Sequence, residues 1–179
     1  MRVFLDLGTG TGTQAIQLAK RGFNIIASDI SETIIKRKKI HYENKYPNLE
    51  FIVDNILYSN FEDNYFDFIF DRGYFHVFTN EDRSKYYNKV KRILKEKGIL
   101  FLKCLSSDEP VINAGSKFST EKIYDIFGSD FMIQKIKKTF YKGTFDPLPK
   151  ALFVVMRLIK KVMINDFNIF LGDLIKTII

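Results

Sequence analysis

Val3-Phe4-Leu5-Asp6-Leu7-Gly8-Thr9-Gly10-Thr11-Gly12 begins two residues into the 179-residue chain, and the later segments fall into place around it. An apolar, β-prone run passes at once into glycines at every second position, and Gln14-Ala15-Ile16-Gln17-Leu18-Ala19-Lys20 then reads as helix. The stretch is a strand, a tight glycine turn and a helix N-terminus. Such a unit brings backbone N–H groups and the positive end of a helix close to a ligand. A Cβ at the glycines would hold the ligand off or forbid the turn.

Two details bear on the ligand. The spacing is G-x-G-x-G with Thr13 next, whereas a dinucleotide fingerprint has G-x-G-x-x-G. Asp6 stands two residues before the first glycine, at the carboxyl end of the strand. A carboxylate there repels a pyrophosphate and attracts a cation in a partly dry cleft. A nucleoside that carries positive charge fits, and S-adenosylmethionine is one.

The motif Asp6-Leu7-Gly8-Thr9-Gly10-Thr11-Gly12 resembles the glycine-rich loop of the class I S-adenosylmethionine-dependent methyltransferases. The resemblance implies cofactor contacts at Asp6, Gly8, Thr9, Gly10 and Gly12.

Gly22 ends the first helix, and Asn24 to Ser28 reads as a second buried strand closing on Asp29. Asp29 lies 21 residues after Gly8, where Rossmann-type sheets place an acid on ribose hydroxyls. A helix cap is the other reading, but Ser31 already holds the N-cap position of the next segment. Glu32 to Tyr46 reads as helix, and Leu49 to Val53 as a third strand ending at Asp54-Asn55. In the resembled family an acid at this strand end accepts a hydrogen bond from the adenine amino group, and Asp54 matches it. An Asx turn is the alternative. Ile30 and Asn55, beside the two acids, join the expected cofactor set.

Tyr65 to Phe70 makes a fourth strand, followed by Asp71-Arg72-Gly73-Tyr74-Phe75-His76 at a strand end where open α/β sheets present their ligand crevice. Asp82 to Glu96 is an amphipathic helix with Gly98 as its cap, and Ile99 to Cys104 a fifth strand. A polar loop from Ser106 to Lys117, a short helix from Ser119 to about Gly128 and strands at Met132–Tyr141 and Ala151–Leu158 complete the pattern. The last two strands are joined by too few residues for a crossover, so one runs antiparallel.

The expected fold is a Rossmann-like three-layer α/β sandwich, its seven-stranded sheet mostly parallel with one antiparallel strand. It resembles the family's sheet from Val3 to Leu158, with the family's N-terminal helices absent. Residues 1–160 would form the methyltransferase domain. In 161–179, Ile164, Phe167, Leu171, Leu174 and Ile178 have helical spacing and suggest an amphipathic tail that covers exposed sheet or pairs with a second copy.

Asp-Arg-Gly after the fourth strand, with Cys104-Leu105-Ser106-Ser107-Asp108 later, is similar to the small-molecule branch that includes the thiopurine methyltransferases. Carried over, Asp71 lies near the cofactor's methionine part and Arg72 contacts substrate or orders the site. Arg72 suits a planar anionic or aromatic molecule, with a structural ion pair as the alternative. His76 is the one candidate general base, or else a packed residue. Cys104 lacks the companion motif of cysteine-using RNA methyltransferases and reads as a small buried hydrophobe.

One cysteine and two histidines leave no basis for a disulfide or a zinc site, so no metal is expected. No basic-then-apolar leader precedes the first strand and no apolar run nears the roughly 18 residues of a membrane span. A cytoplasmic protein, monomeric or homodimeric, is expected. The net charge of +7 gathers in Lys36-Arg37-Lys38-Lys39, in Arg83–Lys97 and in Lys135, Lys137, Lys138 and Lys142. Such patches attract nucleic acid, but solvated lysine faces explain most of them. The function expected is methyl transfer from S-adenosylmethionine to a small molecule. RNA or protein methylation, and a non-catalytic cofactor-binding domain, are the alternatives.

Overall fold

The computed structural model describes residues 2–42, 44–110 and 115–159. Seven strands form one sheet: β1 Val3–Leu7, β2 Asn24–Asp29, β3 Leu49–Val53, β4 Phe66–Arg72, β5 Leu94–Leu105, β6 Phe131–Phe140 and β7 Lys150–Leu158. Four helices accompany them: α1 Thr13–Ala19, α2 Glu32–Tyr42, α3 Asn80–Ile93 and α4 Thr120–Phe127. The strand order is β3-β2-β1-β4-β5-β7-β6, with β7 antiparallel to both neighbours and every other pairing parallel. This is the expected Rossmann-like sheet with its single reversed strand.

Apolar residues on both faces explain the layers, because a parallel sheet is covered on two sides and its strands read as continuous hydrophobic runs. On one face Leu5, Leu7, Phe66, Ile69, Leu100, Leu102, Val154 and Met156 meet Tyr86, Val90 and Ile93 of α3 and Ile123 and Phe127 of α4. On the other, Phe4, Ile25, Ala27, Leu49 and Phe51 meet Ala15, Ile16 and Ala19 of α1 and Ile35 of α2. That second face continues as a ladder of rings, Phe4 on Phe68, Phe70 on Phe101 and Phe101 on Phe153.

Three boundaries differ from the sequence expectation. The second helix stops at Tyr42, short of Tyr46. The fourth strand runs on through Asp71 and Arg72, so both belong to the sheet and not to the loop beyond it. The third helix stops at Ile93, because Leu94 pairs with Phe66 and enters β5. Gly98 is therefore no helix cap. A Cβ on it would lie 2.8 Å from both the Leu94 Cγ and the Lys95 carbonyl oxygen, within the tight turn where Lys97 has φ 62°. The amphipathic pattern of 161–179 lies outside the described residues.

Replacing Gly98 with Ala should cost about 1–3 kcal/mol, the usual range for overpacking a tight site. A lowered urea midpoint with an unchanged m-value checks it; an unchanged midpoint refutes the close approach.

Candidate active site

The loop between β1 and α1 is built on the left-handed glycines Gly8, Gly10 and Gly12, with φ of 65°, 50° and 71°. Thr9 donates its N–H to the Ser28 carbonyl, Gly12 to that of Thr9, and Gly10 to the Asp29 carboxylate at 2.9 Å. The other Asp29 oxygen accepts from the Ser31 N–H at 2.9 Å. Asp29 thus ties the glycine loop to the start of α2, whose first turn Ser31 caps through Ile34.

Asp6 is 4% exposed and accepts a 2.6 Å bond from the Thr9 hydroxyl. Burial pushes its carboxyl up to about 6, opposed by that hydroxyl, by the Arg72 guanidinium and by the Ala15 backbone N–H. With Gly8, Thr9, Thr11, Thr13, Gln14 and Arg72 it lines a cavity of about 110 Å³.

The Asp54 N–H donates to the Asp29 carbonyl, which aligns the ends of β2 and β3. Burial raises the Asp54 carboxyl above its ordinary value, opposed by the Ser59 hydroxyl and the Lys89 charge, and among the described residues its Oδ2 has no hydrogen-bond partner. Ile30 and Val53, flanking the two acids, are 57% and 49% exposed. Asn55 instead turns its Oδ1 to the Leu57 N–H and caps a short turn.

The loop and its acids fit an S-adenosyl group. Gly10 has room for close approach, since a Cβ there would find its nearest neighbour 4.0 Å away. The orphan acceptor of Asp54 is the kind of group that a buried amino group satisfies. Gly8, Gly10, Gly12, Asp29, Asp54 and Ile30 would hold the cofactor.

Asp71 has a role in the fold that its motif does not announce. Its carboxylate is buried and accepts from the N–H groups of Gly73, Tyr74 and Phe75 and from the Tyr86 hydroxyl at 2.8 Å. The acid is a structural knot that folds the turn after β4, with its oxygens aimed into the α3 side of the core.

Arg72, next along the strand, emerges on the opposite face. It lines the glycine-loop cavity and also a second cavity of about 490 Å³ with Gly73, His76, Leu105, Tyr141, Phe145 and Pro149. Burial lowers the His76 pKa, which keeps the ring neutral near pH 7. The Tyr141 hydroxyl donates to the Lys103 carbonyl at 2.8 Å and stands 3.5 Å from His76 Nδ1. With that hydroxyl proton engaged, the contact is made by the tautomer with its proton on Nδ1, which we assign and which leaves the lone pair on Nε2. Cys104 is buried on the far face, and burial pushes its thiol up to about 12, as a packed hydrophobe requires.

Sequence reading missed several residues here. The Tyr74 ring lies against Gly8, where a Cβ would come within 3.1 Å of it. Tyr141 and Phe145 come from the connection between β6 and β7, where no motif marks them.

Residues 4–98 match the family described as a methyltransferase domain, more than half of the chain. The chain belongs to that family. Among curated relatives, a protein of uncharacterized function from Methanocaldococcus jannaschii is 35% identical over 105 residues, spanning 59% of this chain and 42% of that protein. Human EEF1A lysine methyltransferase 2 is 30% identical over 122 residues, spanning 63% of this chain and 52% of its own. The chain spans about half or less of these relatives. The solved structure of a SAM-dependent methyltransferase from Methanosarcina mazei shares the fold, with a TM-score of 0.77 at 17% identity, covering 89% of this chain and 93% of that one. Among the described residues no helix is long and apolar enough to cross a membrane, and no cluster of three His, Cys, Asp or Glu could hold a metal ion.

A carboxyl with a pKa of about 6 is neutral below that value and charged above it. Affinity for the sulfonium of S-adenosylmethionine should therefore rise, by about three- to ten-fold, as the pH climbs from about 5 to about 7. S-adenosylhomocysteine, without the sulfonium charge, should change less, and Asp6→Asn should flatten the difference. Parallel calorimetric titrations at the two pH values measure it; equal slopes for both ligands would remove Asp6 from cofactor recognition.

Proposed function

We propose that this domain transfers a methyl group from S-adenosylmethionine to a small molecule seated beside Arg72 and His76. The observation that carries the reading is the double position of Arg72. One side chain borders both the glycine-loop cavity and the larger chamber, so the two lie side by side at the carboxyl edge of the sheet.

The cofactor, when bound, supplies an electrophilic methyl carbon. The residues of this chain hold and orient. The glycine loop with Asp29 and Asp54 fixes one partner, while Leu105, Tyr141, Phe145 and Pro149 offer the other a surface to rest against. Positioning of this kind supplies much of a displacement's rate through proximity alone. The neutral His76, with its lone pair at Nε2, takes the proton that an O–H or N–H acceptor must lose. A nucleophile already ionised needs no such base.

The apolar Leu105, Phe145 and Pro149 beside Arg72 suit the body of a small acceptor, although the human relative's name describes a lysine methyltransferase. The Asp71-Arg72-Gly73 stretch supports kinship with the thiopurine-methyltransferase-like branch. A reducing, cytoplasmic setting accords with the single buried Cys104.

Calorimetry should show S-adenosylhomocysteine binding to the wild-type protein, and at least about ten-fold weaker binding to Asp29→Ala, as loss of charged hydrogen bonds implies. Thermal unfolding of the variant separates lost binding from lost folding. With methyl-labelled cofactor and a cell extract, label should enter the low-molecular-mass fraction. Failure of the wild type to bind overturns the cofactor assignment, and label in protein or RNA overturns the acceptor assignment.

A further inference from the structure

Arg72 and Lys103 are register partners on adjacent strands, the last residue of β4 opposite the tenth of β5. Both follow the half-buried side of their strands, Phe68-Phe70-Arg72 and Ile99-Phe101-Lys103, so their side chains rise from the same face. Like charges directly opposite one another in a sheet repel, and a lone protein gains nothing from such a pair. A third cation, Lys142, borders the chamber that Arg72 lines.

The carboxylates do not answer these charges. Arg72 and Lys142 make no hydrogen bond or ion pair among the described residues. Lys103 donates to the Phe140 carbonyl at 2.7 Å and lies 4.8 Å from the centre of the Tyr141 ring. Burial, together with Arg72 and Lys142, holds its pKa below the usual lysine value. The carboxylate that feels Arg72 is Asp6, itself buried and bonded to Thr9. Five other basic residues of the sheet and of α3 are ion-paired, Lys85 with Glu81, Lys91 with Asp130, Arg92 with Asp63, Lys95 with Asp67 and Lys138 with Asp108. Arg72 and Lys142 border one chamber, whose other walls include Leu105, Phe145, Pro149, the Tyr141 ring, His76 and Thr144.

We propose that this chamber receives a small organic anion, an apolar or aromatic body bearing a carboxylate or phosphate that Arg72 and Lys142 bind, with Lys103 reinforcing the field beneath Tyr141. The proposal rests on the methyl-transfer reading for making this anion the acceptor; the anion site itself stands on the geometry. Guanidinium offers a planar fork to either oxyanion, and the ammonium groups add charge without fixed direction. The recess and its apolar walls favour a small molecule over a polyanion, which needs phosphate contacts along an extended surface.

NMR titrations of the full chain, with S-adenosylhomocysteine present and absent, test this with benzoate, phenyl phosphate and the neutral benzamide as probes. The two anions should bind at least about ten-fold tighter than benzamide, with shifts at Gly73, His76 and Tyr141, and both Arg72→Met and Lys142→Met should erase most of that preference. Preference for phenyl phosphate over benzoate assigns a phosphate-bearing acceptor, and the reverse a carboxylate. Equal binding of charged and neutral probes, or a preference that survives both substitutions, overturns the proposal. So does a loss of S-adenosylhomocysteine affinity in Arg72→Met with anion binding intact, which moves Arg72 to the cofactor. A single-stranded RNA that displaces phenyl phosphate with a steep salt dependence replaces the small anion by a polyanion. Anion binding without any binding of S-adenosylhomocysteine overturns the methyl-transfer reading and leaves the anion site standing.

Discussion

The buried carboxylate of Asp71 determines which way the end of β4 faces. Three backbone N–H groups and the Tyr86 hydroxyl converge on it, and together they hold the turn that carries Tyr74, Phe75 and His76. Successive side chains of a strand point to opposite faces. Once Asp71 sinks toward α3, Arg72 must emerge on the side of the glycine loop, and His76 must return beside it across one short turn. Removing one partner of a buried, charged hydrogen-bond set leaves the others desolvated and unanswered, which costs more than the bonds contribute singly. The Asp-Arg-Gly stretch therefore divides its work: the acid builds, the arginine borders both cavities, and the glycine, at φ 118°, makes the turn after them.

The glycine loop depends on a comparable anchor. Asp29 holds the Gly10 N–H with one oxygen and the Ser31 N–H with the other. On the proposed reading, a ribose hydroxyl would share an acceptor that the loop already uses. The carboxylate has lone pairs enough for both, since two oxygens offer about four acceptor sites. An acid in this position serves the fold with the protein alone and the ligand when it arrives.

Much of this was legible in the residues because it is local. The glycines at every second position, the acids at three strand ends and the alternation of apolar runs with helical patterns each declare themselves within about ten residues. What escaped depends on pairing between distant segments. Leu94-Lys95-Glu96 has helical composition, yet Leu94 pairs with Phe66 and ends the helix early. The direction of Asp71 is set by register, which one residue of slip would reverse. Tyr141 meets His76 across 65 residues, and no motif in the connection carrying it predicts the meeting.

Along the carboxyl edge of the sheet the order of strands sorts the charges. Reading β3, β2, β1, β4, β5, the side chains at the edge are Asp54, Asp29, Asp6, Arg72 and Lys103. The sign changes between β1 and β4, where chain order reverses and open α/β sheets place their ligands. Acids on one side favour a cationic donor, and cations on the other favour an anionic acceptor. On the proposed reading, a positive donor and a negative acceptor would attract across the junction, and the burial that desolvates Asp6 and Lys103 would strengthen that attraction relative to water. On the same reading, methyl transfer would remove the donor's sulfonium charge, so the acids that favour the donor before the reaction would hold the product cofactor less tightly.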